Sequence, residues 1–311
     1  MSVARAFRSA RPSSSVRRAR HAAAAAIAAV AFAAIGLAGC NNKKAQPEAT
    51  PDPATYDRVV GLFYAGLGAL DSGVQNPLAA AIFTTMTQLA PAEPAGWADL
   101  AIANLRMSKD DAAVAALDEA RTRLPDDDGL LVLAGLIASR GGKTDDAVKL
   151  WGDAVAKNPA NVRAHFALAQ ELARQADPDA DAQIRTHLAA ILTADPTNLK
   201  AHLDSARAAA RTGDKAGVKA GLDAIALRTA ELVASTNPDQ PDVAAQLPGM
   251  ITDLQAAADG DVKALASRLA ILDNLARSTQ AFRTDLGKLA SSDQAPGDLI
   301  TTFLVLPTPS A

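Results

Sequence analysis

Along most of the chain, apolar residues recur three, four and seven positions apart, with polar and charged residues between them. That spacing puts the apolar side chains on one face of a helix. Ala79, Phe83 and Met86 form one stripe, Trp97, Leu100 and Ala101 a second, and Ala113, Leu117 and Ala120 a third. Turn signals separate the stripes at Gly141-Gly142 and Thr212-Gly213-Asp214. Runs of β-branched residues bounded by turns are scarce, so the pattern predicts an all-α fold.

The stripes themselves repeat. Pro91, Pro125 and Pro159 stand 34 residues apart. Ahead of the third proline lie Leu131, Ala134 and Gly135, then Ala147, Trp151 and Ala154, in the register of the earlier sets. Small residues let two helices approach, and a large residue opposite fills the space between them. Proline then ends the second helix where the next unit begins. This set of residues resembles the tetratricopeptide repeat, most closely from Glu93 to about Asp127 through Trp97, Leu100, Ala101, Ala113, Leu117, Ala120 and Pro125. The resemblance implies a right-handed α-solenoid of about five helical hairpins over residues 55–235, whose first helices line a concave surface. The unit beginning near Val162 carries a three-residue insertion between Gln175 and Ala182 and closes at Pro196. The unit from Leu199 to Val233 has Ala230 in place of the closing proline.

After Asn237 to Pro241 the period is lost, and residues 236–311 read as a C-terminal helical hairpin with a proline-containing tail. One helix is expected from Asp242 to Ala258 and a longer one from Asp261 to Leu289. Such a hairpin covers the exposed end of a solenoid. The alternative is a partner-binding or self-pairing coiled coil, which Ser278 and Thr279 would interrupt. The segment from Phe303 to Ala311 reads as the entry to a linker, and faintly resembles larger bacterial chains in which such repeats precede FG-GAP-type propellers.

The N-terminus changes the picture from fold to location. Six arginines and no acidic residue occupy the first forty positions, and an apolar run from Ala22 to Ala38 follows Arg20. That order is the order of a signal peptide. It closes at Leu37-Ala38-Gly39-Cys40, which resembles the lipobox of bacterial lipoproteins. The resemblance implies lipidation of Cys40 and removal of residues before it. Asn41, where an aspartate would mark inner-membrane retention, implies an outer-membrane lipoprotein facing the periplasm. Residues 41–54 are too polar to join a core and read as a disordered tether. Cys40 is the only cysteine, so the chain forms no internal disulfide.

Beyond residue 40 there remain 25 basic and 34 acidic side chains, a net charge of −9, which lacks the basic footprint of a nucleic-acid binder. Within that acidic body, Arg106, Arg140, Arg174 and Arg211 recur late in the first helices at intervals of 34, 34 and 37. Two readings apply. Guanidinium groups in a row along a groove suit the carboxylates of a partner, whereas cations in the last turn of a helix complement its dipole. Tyr64, Ile102, Leu136, Phe166, Gln170 and Arg207 are the other candidate groove residues.

Catalytic motifs are missing. His165 and His202 occupy the large-residue slot of their repeats, and with His187 they show no metal-ligand spacing in sequence. Asp126-Asp127-Asp128 lies between repeats and reads as a capping cluster rather than a cation site. No cofactor or metal is expected. The sequence therefore predicts a non-catalytic, lipid-anchored scaffold that binds another protein or a peptide segment in its groove, for envelope or pilus assembly. The alternative is an accessory module that positions a separate or downstream-fused catalytic or propeller domain.

Overall fold

A computed structural model describes residues 52–175 and 180–289. The leader, Cys40, most of the tether and the tail after Leu289 lie outside the described residues. Fourteen α-helices and one 3-10 turn make up the described chain. They are α1 (Pro53–Asp71), α2 (Asn76–Leu89), α3 (Pro94–Arg106), α4 (Asp110–Arg123), α5 (Asp128–Arg140), α6 (Thr144–Lys157) and α7 (Val162–Gln175). There follow α8 (Asp181–Ala194), α9 (Leu199–Thr212), α10 (Lys215–Ala226), α11 (Thr229–Ala234), α12 (Pro241–Ala257), the 3-10 turn Val262–Leu265, α13 (Ala266–Ala276) and α14 (Gln280–Leu289).

From α1 to α10 each helix packs on the next, giving five hairpins stacked in chain order. The small-against-large rule is visible atom by atom. A Cβ on Gly66 would lie 2.5 Å from the ring of Phe83, and one on Gly135 would lie 2.3 Å from Nε1 of Trp151. Glycine is required at these crossings because an aromatic ring occupies the space.

The turns inside the hairpins share a second constraint. Gly73, Ser108, Gly142 and Gly213 have positive φ, and each follows the first helix of hairpin one, two, three and five. Ser108 alone bears a Cβ there, at φ 57°, which costs about 1 kcal/mol of backbone strain. Ser108→Gly is therefore expected to stabilise the protein by roughly 0.5 kcal/mol, read as a higher urea midpoint. An unchanged or lower midpoint would mean that Ser108 is not strained.

The prolines that mark the period do more than stop helices. Trp97 Nε1 donates to the carbonyl of Pro91 at 2.9 Å, His165 Nε2 to that of Pro159 at 3.0 Å, and His202 Nε2 to that of Pro196 at 2.8 Å. Each donor stands six residues after its proline. In hairpin three the equivalent residue is Leu131, which has no donor to offer. In hairpins two, four and five the large slot thus ties the start of the hairpin to the loop before it. The acidic cluster between hairpins two and three caps its own helix and reaches forward, to the end of hairpin three and the loop after it. Asp127 caps α5 through the Leu130 amide at 2.8 Å, Asp128 accepts from Asn158 and Asn161, and Asp126 pairs with Lys157.

Past hairpin five the order reverses. Helix α12 packs on α10, the second helix of hairpin five, and α13 then returns to α9, the first. Leu247, Ile251 and Leu254 of α12 and Leu269 and Leu272 of α13 are buried with Leu203, Leu222 and Ile225 in one apolar cluster. Each such side chain contributes about 1.5–3 kcal/mol on burial. The expected single helix from Asp261 to Leu289 is corrected to three pieces: the 3-10 turn, α13 and α14. The break falls at Ser278 and Thr279, where a competing set of backbone bonds wins. Thr236 and Thr279 form an antiparallel bridge, Gln280 N donates to Ser235 O at 2.8 Å, and Asn237 N donates to Ser278 O at 3.3 Å. That clasp turns α14 back across hairpins four and five, where Leu289 is buried beside Phe166, Ile184 and Leu188.

Candidate functional site

The four periodic arginines come late in α3, α5, α7 and α9, and each reaches toward the hairpin before its own. Arg106 Nη1 donates to Leu70 O at 2.7 Å, at the end of α1. Arg140 lies 3.7 Å from Asp110, Arg174 Nη2 donates to Thr144 Oγ1 at 3.4 Å, and Arg211 pairs with Asp181 through Nε at 2.8 Å. Asp110, Thr144 and Asp181 are the first residues of α4, α6 and α8, each 30 positions before its arginine. A carboxylate at a helix start is already favoured by the backbone dipole, and the arginine adds a charge pair across the junction. The row therefore joins successive hairpins. Arg174 is also bonded within its own helix, to Glu171 at 2.6 Å.

The other candidates divide by burial. Ile102, Leu136 and Phe166 are buried members of the apolar clusters, so the expectation that they line an open wall is corrected. Tyr64 is 64% exposed, edge-on to Phe63. Gln170 is exposed, Arg207 is partly so, and both border a cavity.

That cavity, of about 440 Å³, lies between α7, α8 and α9. Ala169, Ala173, Ile184 and Leu188 give it an apolar lining. Lys200, Asp204, Arg207 and Arg211 face it from α9, at the spacing of one helix face. Arg174 comes from α7, and Arg277 from the end of α13. Four predicted residues, Gln170, Arg174, Arg207 and Arg211, thus meet at one place, while Arg106, Arg140 and Tyr64 stand apart from it. Lys200 is buried at 3% exposure, with Nζ 2.6 Å from Asp204 and 3.0 Å from Asp273. Asp273 also accepts from Arg277 Nε at 2.8 Å. Its carboxyl is buried, which raises the pKa, yet Lys200 and Arg277 overcome that and hold it below the usual carboxylate range. Arg277 carries no periodic signal, and the fold-back that brings it here is what sequence spacing could not show.

A second hollow of about 450 Å³, between α4, α5 and α6, mixes both signs of charge and contains none of the predicted groove residues.

Between α7 and α8 the structure joins two histidines that stand 22 residues apart. His165 Nδ1 and His187 Nδ1 are 2.9 Å apart. Because a carbonyl only accepts, the bond to Pro159 puts the His165 proton on Nε2, and His187 Nδ1 must donate to His165 Nδ1. Ring centres 5.2 Å apart match that separation lengthened by one ring radius at each end. The bond is therefore straight, and two lone pairs do not converge on a common point as a chelated metal requires. Among the described residues no group of three or more His, Cys, Asp or Glu side chains is placed to hold a metal ion. Burial, and then His165, lowers the His187 pKa from its ordinary 6.5. The unfolded chain consequently takes up a proton at His187 more readily below pH 6.5, so the contribution of His187 is full above that pH and lost as pH falls through the lowered value. His187→Gln, which keeps a donor to His165, is expected to flatten the stability profile between pH 7.5 and 5. Equal slopes for both proteins in urea titrations would refute this.

The arrangement is similar to known solved structures at the level of the fold. PilF of Pseudomonas aeruginosa superposes with a TM-score of 0.52 at 15% identity, over 74% of this chain and 97% of its own. YrrB, described as a tetratricopeptide protein with an unusual peptide-binding site, aligns at TM-score 0.39 and 15% identity, over 55% of this chain and 90% of its own. No family model matches the sequence, and no curated protein does. The described chain is an all-α solenoid of helical hairpins of the tetratricopeptide type.

Proposed function

We propose that this protein is a non-catalytic scaffold that receives a segment of another protein in the cavity between hairpins four and five. The observation that carries the reading is the cavity itself. It offers an apolar lining and a cationic rim in a chain that is otherwise acidic. A peptide side chain fits such a surface, and Gln170 stands exposed at its edge to meet it. A photo-crosslinking amino acid at Gln170 is expected to trap one saturable partner in cells. The same probe at exposed Thr252 on α12 is the control. Equal, diffuse labelling from both positions would sink the reading.

The scaffold acts, in this proposal, from the envelope. Lipid on Cys40 would hold the solenoid at the outer membrane, with the tether giving it reach. No helix among the described residues is long and apolar enough to cross a membrane, and in this proposal the lipid supplies the attachment. Cys40→Ser is expected to move the protein from the membrane fraction to the soluble fraction and abolish lipid labelling. An unchanged membrane fraction would exclude the anchor. Assembly of envelope or pilus components is the process we favour, and positioning of a separate catalytic or propeller domain is the alternative. Identification of the partner trapped at Gln170 separates them.

A further inference from the structure

The reversed terminal hairpin does more than cover the end of the solenoid. In the stacked hairpins the periodic arginines are drawn to the hairpin before. Around the cavity the charges are Arg174, Lys200, Arg207, Arg211 and Arg277 against Glu171, Asp181, Asp204 and Asp273, an excess of one cation. Most are tied up. Arg174 is bonded to Glu171, Arg211 to Asp181, and Lys200 to both Asp204 and Asp273.

Two guanidinium groups differ. Arg207 makes no hydrogen bond among the described residues, and its nearest carboxylate, that of Asp204, is 3.7 Å away. Arg277 uses Nε alone, toward Asp273, which leaves both terminal nitrogens uncommitted among the described residues. Their side chains are 34% and 46% exposed, and both line the same cavity. Their origins also differ, since Arg207 belongs to hairpin five and Arg277 to the link between α13 and α14.

We propose that Arg207 and Arg277 together form an anion subsite for a carboxylate of the partner segment, so that the terminal hairpin supplies one wall of the binding site. This rests on the cavity being the partner site. Two forked donors at one edge of a partly desolvated hollow suit a carboxylate, which accepts two parallel N–H bonds. Asp273 pairs with Arg277 through Nε and leaves its terminal nitrogens open, while no hydrogen bond among the described residues ties Arg207 to a carboxylate. Asp273 holds Arg277 by one nitrogen and Lys200 by another contact, so α13 and α9 are set relative to each other at the subsite.

The test uses the full chain purified in detergent and a fluorescein-labelled hexaglutamate peptide, with hexalysine as the control. Hexaglutamate is expected to bind and hexalysine not to. Arg207→Ala and Arg277→Ala should each weaken binding about tenfold or more, as loss of a charged hydrogen bond requires. Arg277→Lys, which keeps the charge but not the fork, should fall between. Thermal melting of each variant separates lost affinity from lost structure, and Arg207, without a hydrogen bond of its own, is the variant that leaves the cap's packing intact. Affinity unchanged in either alanine variant, or absent from the wild-type chain, would overturn the subsite. Were hexaglutamate to fail while Gln170 still trapped a saturable partner, the scaffold would stand without this subsite. Loss of the cross-link itself would remove the scaffold reading.

Discussion

Gly135→Ala is expected to cost the fold about 2 kcal/mol, although alanine is the better helix former. In a free helix the exchange would gain about 1 kcal/mol. Here a Cβ would stand 2.3, 2.6 and 2.8 Å from three atoms of the Trp151 indole. The ring is rigid, 4% exposed, and held by its Nε1 donating to Val132 O at 3.1 Å. To make room, α5 and α6 must separate or the indole must leave that carbonyl. Overpacking of this kind costs about 1–3 kcal/mol, and a buried N–H left without an acceptor adds about 1–3 more. The clash outweighs the propensity. Trp151→Phe shrinks the ring and removes the donor, so in that background Gly135→Ala should cost much less. Urea unfolding of the two single variants and the double variant measures the coupling. Strictly additive effects would show that Gly135 and Trp151 are not opposed as described.

That pair also shows what the sequence could disclose. Gly135 and Trp151 sit in the small and large slots of a 34-residue pattern, so their meeting follows from period alone. The same holds for the five hairpins, whose contacts are between neighbours in the chain. Contacts made by returning chain were not legible. The clasp between Ser235 and Gln280 depends on two loops some forty residues apart, and it is what cuts the apolar stripe from Asp261 to Leu289 into separate helices. Ser278 and Thr279 marked the place without naming the partner.

The candidate site divides in the same manner. Arg174 and Arg211 were readable as members of a row, although the row joins hairpins through the first residues of α6 and α8. Gln170 and Arg207 followed from their place on the first helices. Lys200 stands on the same helix face as Arg207, with Arg163 in its place one unit earlier, but it lies at the start of its helix, away from the row of late arginines that the spacing brings out. Arg277 belongs to a part of the chain with no repeat at all. The histidine bond escaped for a similar reason, because His165 occupies a repeat slot and His187 does not.

Asp285→Ala is expected to be the most damaging single exchange in the C-terminal region, at about 3–5 kcal/mol. Asp285 is 2% exposed. Its Oδ2 accepts from the Leu199 amide at 3.0 Å and from Arg228, and Oδ1 lies 3.0 Å from Lys288 Nζ. Its own carbonyl accepts from Asn198 Nδ2 at 3.2 Å. One carboxylate thus satisfies the start of α9, a guanidinium from the loop before α11, and α14 itself. Removal leaves Arg228 and the Leu199 amide facing a gap where water has little access. Asp285→Asn should be milder, since it retains an oxygen for the amide but loses the charge opposite Arg228. The damage should also be directional. Arg283 and Lys288 lie on α14, so limited trypsin digestion should cut there first in the alanine variant, before the stacked hairpins open. Because α14 and α13 are joined at the clasp, release of α14 should then loosen Arg277 and weaken hexaglutamate binding in parallel. Wild-type protease resistance and a shift of less than about 1 kcal/mol in Asp285→Ala would show that the carboxylate does not anchor the returning helix.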